Sequence, residues 1–129
     1  MNILIIDELI NGTITNQFEI EIENETISTQ ELIEKRVIQE VNNYNNKLPE
    51  YFNGLVEPTE AEKNLNGFKL KKRQLIDHEK QVYVALDAFQ KNAFFILVDN
   101  IQIEEINQEI KLKDHSKVSF IKLTPLIGG

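Results

Sequence analysis

The sequence predicts an α+β fold, and three observations carry that expectation. Short apolar runs with strand patterning open and close the chain, a helical apolar stripe with a recognisable cap lies between them, and turn signals separate the runs.

Ile3 to Ile6 form an apolar, largely β-branched run with no turn residue inside it, as in a buried strand. Asn11-Gly12 follows as a turn signal, and Phe18-Glu19-Ile20-Glu21-Ile22 then alternates apolar and charged, the mark of a strand with one wet face. The expectation is a β-hairpin with a loop that can exceed two residues.

Ser28-Thr29-Gln30-Glu31 fits a capping box with Ser28 as N-cap, and Ile27 and Leu32 occupy the positions of a hydrophobic staple. Ile33, Val37, Val41 and Tyr44 recur at spacings of four and three, so a helix begins near Thr29, fades over 42–46 and stops before Pro49.

Residues 49–76 are less regular, with Gly54 and Gly67 as punctuation. Pro58-Thr59-Glu60-Ala61-Glu62 suggests a short capped helix. Asp77 can cap a longer one running through Val82, Leu86 and Phe89 and ending near Asn92. From Phe94 the pattern returns to β, with strands over 94–98 and 101–103 joined at Asp99-Asn100. A turn at Asp114-His115-Ser116 leads into a last strand over 118–123. No repeat, low-complexity tract or linker divides the chain, so residues 1–129 read as one domain.

At 129 residues the chain can bury about 65–70% of its unfolded surface, and 41% hydrophobic residues supply a core. The net charge of −7 disfavours nucleic acid and anionic membranes, whose affinity rests on Lys and Arg. The absence of cysteine excludes disulfides, thiolate metal ligands and a cysteine nucleophile. The opening apolar stretch meets Asp7 and Glu8 too soon for a signal peptide, and no run reaches membrane-spanning length, so a soluble cytoplasmic protein is expected.

The most informative segment is Thr124-Pro125-Leu126-Ile127-Gly128-Gly129, expected to leave the last strand as a flexible tail. A closing diglycine arises by chance in about 0.5% of chains, given the ordinary glycine frequency. A carboxylate that must enter another enzyme's active site needs a thin approach. Glycine, without a Cβ, passes through a narrow channel and leaves its carbonyl open to a sulfur or amine nucleophile. Gly129 is therefore the candidate for activation and covalent attachment, with Gly128, Ile127, Leu126 and Pro125 as its recognition segment.

Phe95-Ile96-Leu97-Val98-Asp99-Asn100, Leu112-Lys113-Asp114, Val118-Ser119-Phe120 and Pro125-Leu126-Ile127-Gly128-Gly129 together resemble the C-terminal half of the β-grasp family that includes ubiquitin and the sulfur carriers of the thiamine and molybdopterin pathways. Residues 1–47 fit that family's opening hairpin and helix. The resemblance implies a ubiquitin-like β-grasp: a mixed four- to five-stranded sheet packed on a central helix, its first and last strands adjacent and parallel in the sheet centre. Residues 49–92 stand as a helical insertion.

The resemblance also implies that Gly129 is adenylated by a ubiquitin-activating-type enzyme, which supplies the ATP; the chain itself needs no cofactor. In modifiers the glycine passes through an enzyme thioester to an amide on a target lysine, with a conjugating enzyme and a protease as further partners; in sulfur carriers it becomes a thiocarboxylate. The extra surface of 49–92 favours the modifier. Two alternatives stay open: a sulfur carrier for cofactor biosynthesis, and a non-conjugated binding module. The chain departs from the family in lacking glycine at Asp114-His115-Ser116 and at Asp99-Asn100.

The remaining candidates read as surface features. His78 and His115 lie apart and outside any catalytic spacing, and Glu104-Glu105 has no metal-ligand partner at a suitable distance in sequence. Lys69-Leu70-Lys71-Lys72-Arg73 is a solvated face or protected edge strand, or a docking patch for an acidic partner. No phosphate-binding glycine loop is present, so the chain is expected to be a substrate of enzymes and not an enzyme.

Overall fold

The structure is a computed structural model that describes residues 1–58, 61–64, 67–70 and 75–123. It is α+β, with a mixed five-stranded sheet, two small two-stranded sheets and two helices. The chain groups into two compact units, Met1–Gln30 with the chain from Phe89 onward, and Glu31–Ala88.

The first unit holds the five-stranded sheet. Strand β1 (Asn2–Leu9) pairs antiparallel with β2 (Ile14–Glu21). Their loop has three residues: Gly12 N–H donates to the Leu9 carbonyl at 2.8 Å and Leu9 N–H to the Thr13 carbonyl at 2.9 Å. Gly12 takes φ 90°, the left-handed position such a loop reserves for glycine. A bulge between Asp7 and Glu8 breaks the hairpin register.

Strand β3 (Thr26–Ser28) leaves the main sheet and later pairs with β8 (Glu109–Lys111). Strand β6 (Phe94–Val98) turns through Asp99 and Asn100 into β7 (Ile101–Ile103). Both turn residues are left-handed, φ 47° and 70°, a conformation Asp and Asn tolerate, so the turn forms without glycine.

Strand β9 (Lys117–Lys122) completes the sheet in the order β2-β1-β9-β6-β7. It runs parallel to β1 from Leu4↔Lys117 to Leu9↔Lys122 and antiparallel to β6. The first and last strands are thus adjacent and parallel, as expected, with β9 central.

One face of this sheet carries Ile3, Ile5, Ile96, Val98, Val118 and Phe120, all buried. Each such side chain contributes about 1.5–3 kcal/mol relative to exposure. The turn before β9 is held by Asp99. Its carboxylate accepts the Ser116 hydroxyl at 3.0 Å and the Lys117 N–H at 2.9 Å, while Ser116 Oγ accepts the Lys113 N–H at 3.0 Å. His115 sits between them at φ 67°, doing without the glycine usual at such a corner.

The second unit is built on α1 (Thr29–Lys47). Leu32, Ile33, Val37, Val41 and Tyr44 are buried, as the apolar stripe predicts. The helix stops at Leu48, whose φ of 44° ends it and whose N–H donates to the Tyr44 carbonyl at 2.7 Å, immediately before Pro49. Arg36, fully buried, donates from Nε to Glu40 one turn on, and the other Glu40 oxygen accepts the Leu55 N–H at 3.1 Å.

The short helix expected around 58–62 is not what forms. Ala61–Asn64 is strand β4, paired antiparallel with β5 (Gly67–Leu70); Thr59 and Glu60 lie outside the described residues. Long-range pairing overrides the local cap signal: Phe52 and Phe68 exchange backbone hydrogen bonds at 2.7 and 2.9 Å, and Phe52 packs edge-on against Tyr44 at 5.4 Å. Gly67, at φ 120°, is the first residue of β5 and pairs with Asn64, the last of β4. The insertion therefore contributes a hairpin and one helix, α2 (His78–Gln90). Asp77 caps α2, accepting the Glu79 and Lys80 N–H groups at 3.0 and 3.4 Å.

Candidate functional site

The chain passes from β9 through Leu123 into residues 124–129, so the end of β9 is the described part of the candidate site. Pro125, Leu126, Ile127, Gly128 and Gly129 all lie outside the described residues.

The register assembles what surrounds that end. Ile121 of β9 is paired with Glu8 of β1 on one side and Phe95 of β6 on the other, and Glu8 is paired with Ile14 of β2. Because side chains two apart share a face, Leu4, Ile6, Ser119 and Leu97 extend this row along the same face. This face is opposite the one holding Ile5 and Phe120, and Leu4, Phe95, Leu97 and Ile121 on it are only half-buried. Glu19 and Glu21, partners of Leu4 and Asn2, set exposed carboxylates beside it.

Three exposed aliphatic residues complete the surface: Ile10 at 63%, Ile14 at 56% and Leu123 at 40%. Ile10 lies in the β1–β2 loop and Ile14 opens β2, and this end of the sheet is the end from which β9 exits, since β1 and β9 are parallel. An isoleucine in or beside a tight surface loop, where polar residues are usual, makes this end of the sheet the candidate contact surface. Sequence reading passed over Ile10 and Ile14. The signal available to it was Ile10 beside Asn11-Gly12, an aliphatic side chain where a turn calls for polar residues.

A small cavity of about 170 Å³ lies beside the start of β6, lined by Phe89, Phe94, Gln102 and Glu104 among others. Phe94 pairs with Lys122 near the end of β9, though no β9 residue lines this cavity.

The other candidates are where a surface reading puts them. His78 is exposed at the first turn of α2. His115 is exposed, with Nε2 3.4 Å from the Asp114 carboxylate. The Glu104 and Glu105 N–H groups both point at the Gln108 side-chain oxygen. Among the described residues no group of three or more His, Cys, Asp or Glu could hold a metal ion, and no helix is long and apolar enough to cross a membrane. Lys69 lies on β5, half-exposed and 3.5 Å from Glu50; Lys71, Lys72 and Arg73 lie outside the described residues.

No known family, curated protein or solved structure matches this chain.

Proposed function

We propose that the chain is a ubiquitin-like protein modifier on a β-grasp scaffold, with Gly129 as its acyl group. The observation that carries this is the parallel pairing of β1 with a central β9 in the order β2-β1-β9-β6-β7, with Pro125-Leu126-Ile127-Gly128-Gly129 beginning three residues after the end of β9 in the sequence. That order supports the β-grasp reading, and the aliphatic surface of Ile10, Ile14 and Leu123 gives a partner a hold next to the acyl segment.

The chemistry is a sequence of acyl transfers. The Gly129 carboxylate, free or exposed by a processing protease, attacks the α-phosphate of ATP in the activating enzyme and displaces pyrophosphate. A cysteine thiolate of that enzyme then attacks the acyl carbon and displaces AMP. Transfer to a conjugating enzyme exchanges one thiol for another, and a target lysine amine finally displaces the thiol to leave an amide. Gly128 and Gly129 keep the path to each nucleophile clear. The chain supplies the carboxylate and the docking surface; the partners supply ATP and catalysis.

The experiment is intact-protein mass spectrometry after incubation with ATP and candidate activating enzymes, comparing the full chain with one lacking Gly128 and Gly129. Adenylate or enzyme thioester on the full chain alone, followed by adducts on target lysines, is the expected result. A gain of sulfur in place of oxygen at Gly129 would assign the chain to sulfur carriers instead. Identical behaviour of both forms, with an enzyme active on its own partner, would leave a binding module without acyl transfer.

A further inference from the structure

We infer that the β7 edge and the cavity beside it form a docking site for an extended segment of a partner protein that carries an arginine next to an aliphatic residue. The inference does not depend on the carrier reading.

β7 is the last strand in the order β2-β1-β9-β6-β7, and among the described residues only β6 pairs with it. Asp99 and Asn100, both left-handed, make a two-residue turn. The flanking pair Val98↔Ile101 therefore exchanges backbone hydrogen bonds, and the next pair, Leu97↔Gln102, does not. The Gln102 N–H and carbonyl thus point away from β6, where a further strand would meet them. The open run is short, because the Gln108 side-chain oxygen already accepts the Glu104 N–H at 3.1 Å. A three-residue edge strand does not recruit strands at large. A segment that adds here needs a second hold, and the cavity supplies it.

The cavity of about 170 Å³ is close in volume to one of about 150 Å³ that takes a benzene, so it accommodates the end of one side chain. Phe89 and Phe94, both buried with ring centroids 5.9 Å apart, and half-buried Phe95 give it aromatic walls. Around them stand three exposed polar residues, Asn92, Gln102 and Glu104. Asn92, left-handed at φ 60°, donates its N–H to the Phe89 carbonyl at 3.1 Å, which fixes the backbone at the rim.

That lining selects the occupant. An apolar ring would cover two amides and a carboxylate without giving them partners. An ammonium is a compact, strongly hydrated charge. A guanidinium stacks on an aromatic face and presents a planar fork of N–H donors to the carboxylate and the amide oxygens. The surroundings agree: from Asn92 to Ile110 the chain carries Asp99, Glu104, Glu105 and Glu109 and no Lys or Arg. The bases that border this stretch, Lys91 in sequence and Lys122 opposite Phe94, each already have an interaction of their own.

Edge and cavity also match in direction. Gln102 lies opposite Leu97, two residues from Phe95, so Gln102 and Phe95 share a face. A residue of the added segment set opposite Gln102 projects to that same face, beside the cavity. Its neighbour in the segment projects to the other face, where Ile101 is 68% exposed. An arginine opposite Gln102 is therefore placed for Phe95 and Glu104, and an aliphatic neighbour covers Ile101.

The test is an NMR titration of the isotope-labelled full chain with the capped peptide Ser-Val-Arg-Val-Ser, alongside peptides with Lys or Leu in place of Arg. The expected result is saturable amide shifts centred on Phe95 and residues 101–104, with the Lys peptide several-fold weaker and the Leu peptide weaker still. Glu104→Gln should weaken the Arg peptide several-fold at low salt and less at high salt. Gln102→Pro removes the outward N–H without breaking a ladder bond, so it should abolish binding while the remaining amide spectrum stays in place. In the wild-type chain the Gln102 amide should gain exchange protection as peptide is added, a readout that needs no variant to fold. Absence of saturable shifts up to millimolar peptide, shifts centred elsewhere, or unchanged Gln102 exchange overturns the proposal. So does a Lys or Leu peptide that binds as tightly as the Arg peptide, or a folded variant that binds like wild type.

Discussion

Arg36 is a charged residue fully buried in the second unit. Its guanidinium is fully buried and its Nε–H is accepted by Glu40, itself nearly buried and bonded to the Leu55 N–H. Removing one partner of such a pair leaves a charge in a poorly solvating interior. Glu40→Ala is expected to destabilise the protein by about 3 kcal/mol, read from urea unfolding. Replacing both residues, Arg36→Met with Glu40→Leu, should recover part of that loss, since the Leu55 N–H still loses its acceptor.

Gly67 makes a second point at this scale. A Cβ there would lie 2.5 Å from the Asn53 side-chain oxygen and 2.9 Å from the Phe52 carbonyl, on a backbone at φ 120°. Gly67→Ala is expected to cost about 1–3 kcal/mol, with near-complete loss of the Phe52–Phe68 backbone bonds as seen by amide exchange. A marginal change in both would show that β5 does not need glycine at this position.

At the scale of elements, what was legible followed from how local the determinants are. Helix α1 begins directly after Ser28 and α2 directly after its cap Asp77, and each carries its own periodicity, so their starts and ends were readable within a residue or two. The hairpin β4–β5 was not. Pro58 to Glu62 spells a helix start, whereas the strand pairing there is fixed by Phe52, Phe68 and Gly67, residues spread over the loop and invisible to a local pattern. Strands β3 and β8, three residues each, are too short to show alternation.

The link from α1 to the start of α2 was equally unreadable. Asn45 donates from its amide to the Ile76 carbonyl at 3.0 Å and accepts the Ile76 N–H at 2.8 Å, closing both backbone groups of that residue. Asn45→Ala is expected to destabilise by about 2 kcal/mol, measured by thermal unfolding, while Asn43→Ala, exposed on the same helix, leaves the midpoint nearly unchanged.

For the whole molecule, stability should be graded. The five-stranded sheet joins distant segments through β1, β9 and β6, whereas β4–β5 is a two-stranded sheet on its own. Native-state hydrogen exchange is expected to find the slowest amides in β1, β9 and β6 and faster opening in β4 and β5. Equal protection everywhere would indicate a single cooperative unit. The candidate site divides in a similar way. Its chemistry, Gly128-Gly129 after an aliphatic pair, is written in the sequence. Its proposed docking surface is not, because Ile10, Ile14 and Leu123 lie at one end of the sheet only once β1 and β9 pair in parallel.

That parallel pair has a mechanical consequence. If Gly129 is joined to a cargo and the cargo is pulled, tension enters through Leu123 at the end of β9. Any hold on the chain's first residues resists from the opposite end of β1. The bonds between the two strands, registered from Leu4↔Lys117 to Leu9↔Lys122, are then loaded together and lengthwise instead of opening one by one like a zip. A motor hauling on the cargo meets its greatest resistance at this seam, so the fold can act as a brake on its own unravelling while it is dragged.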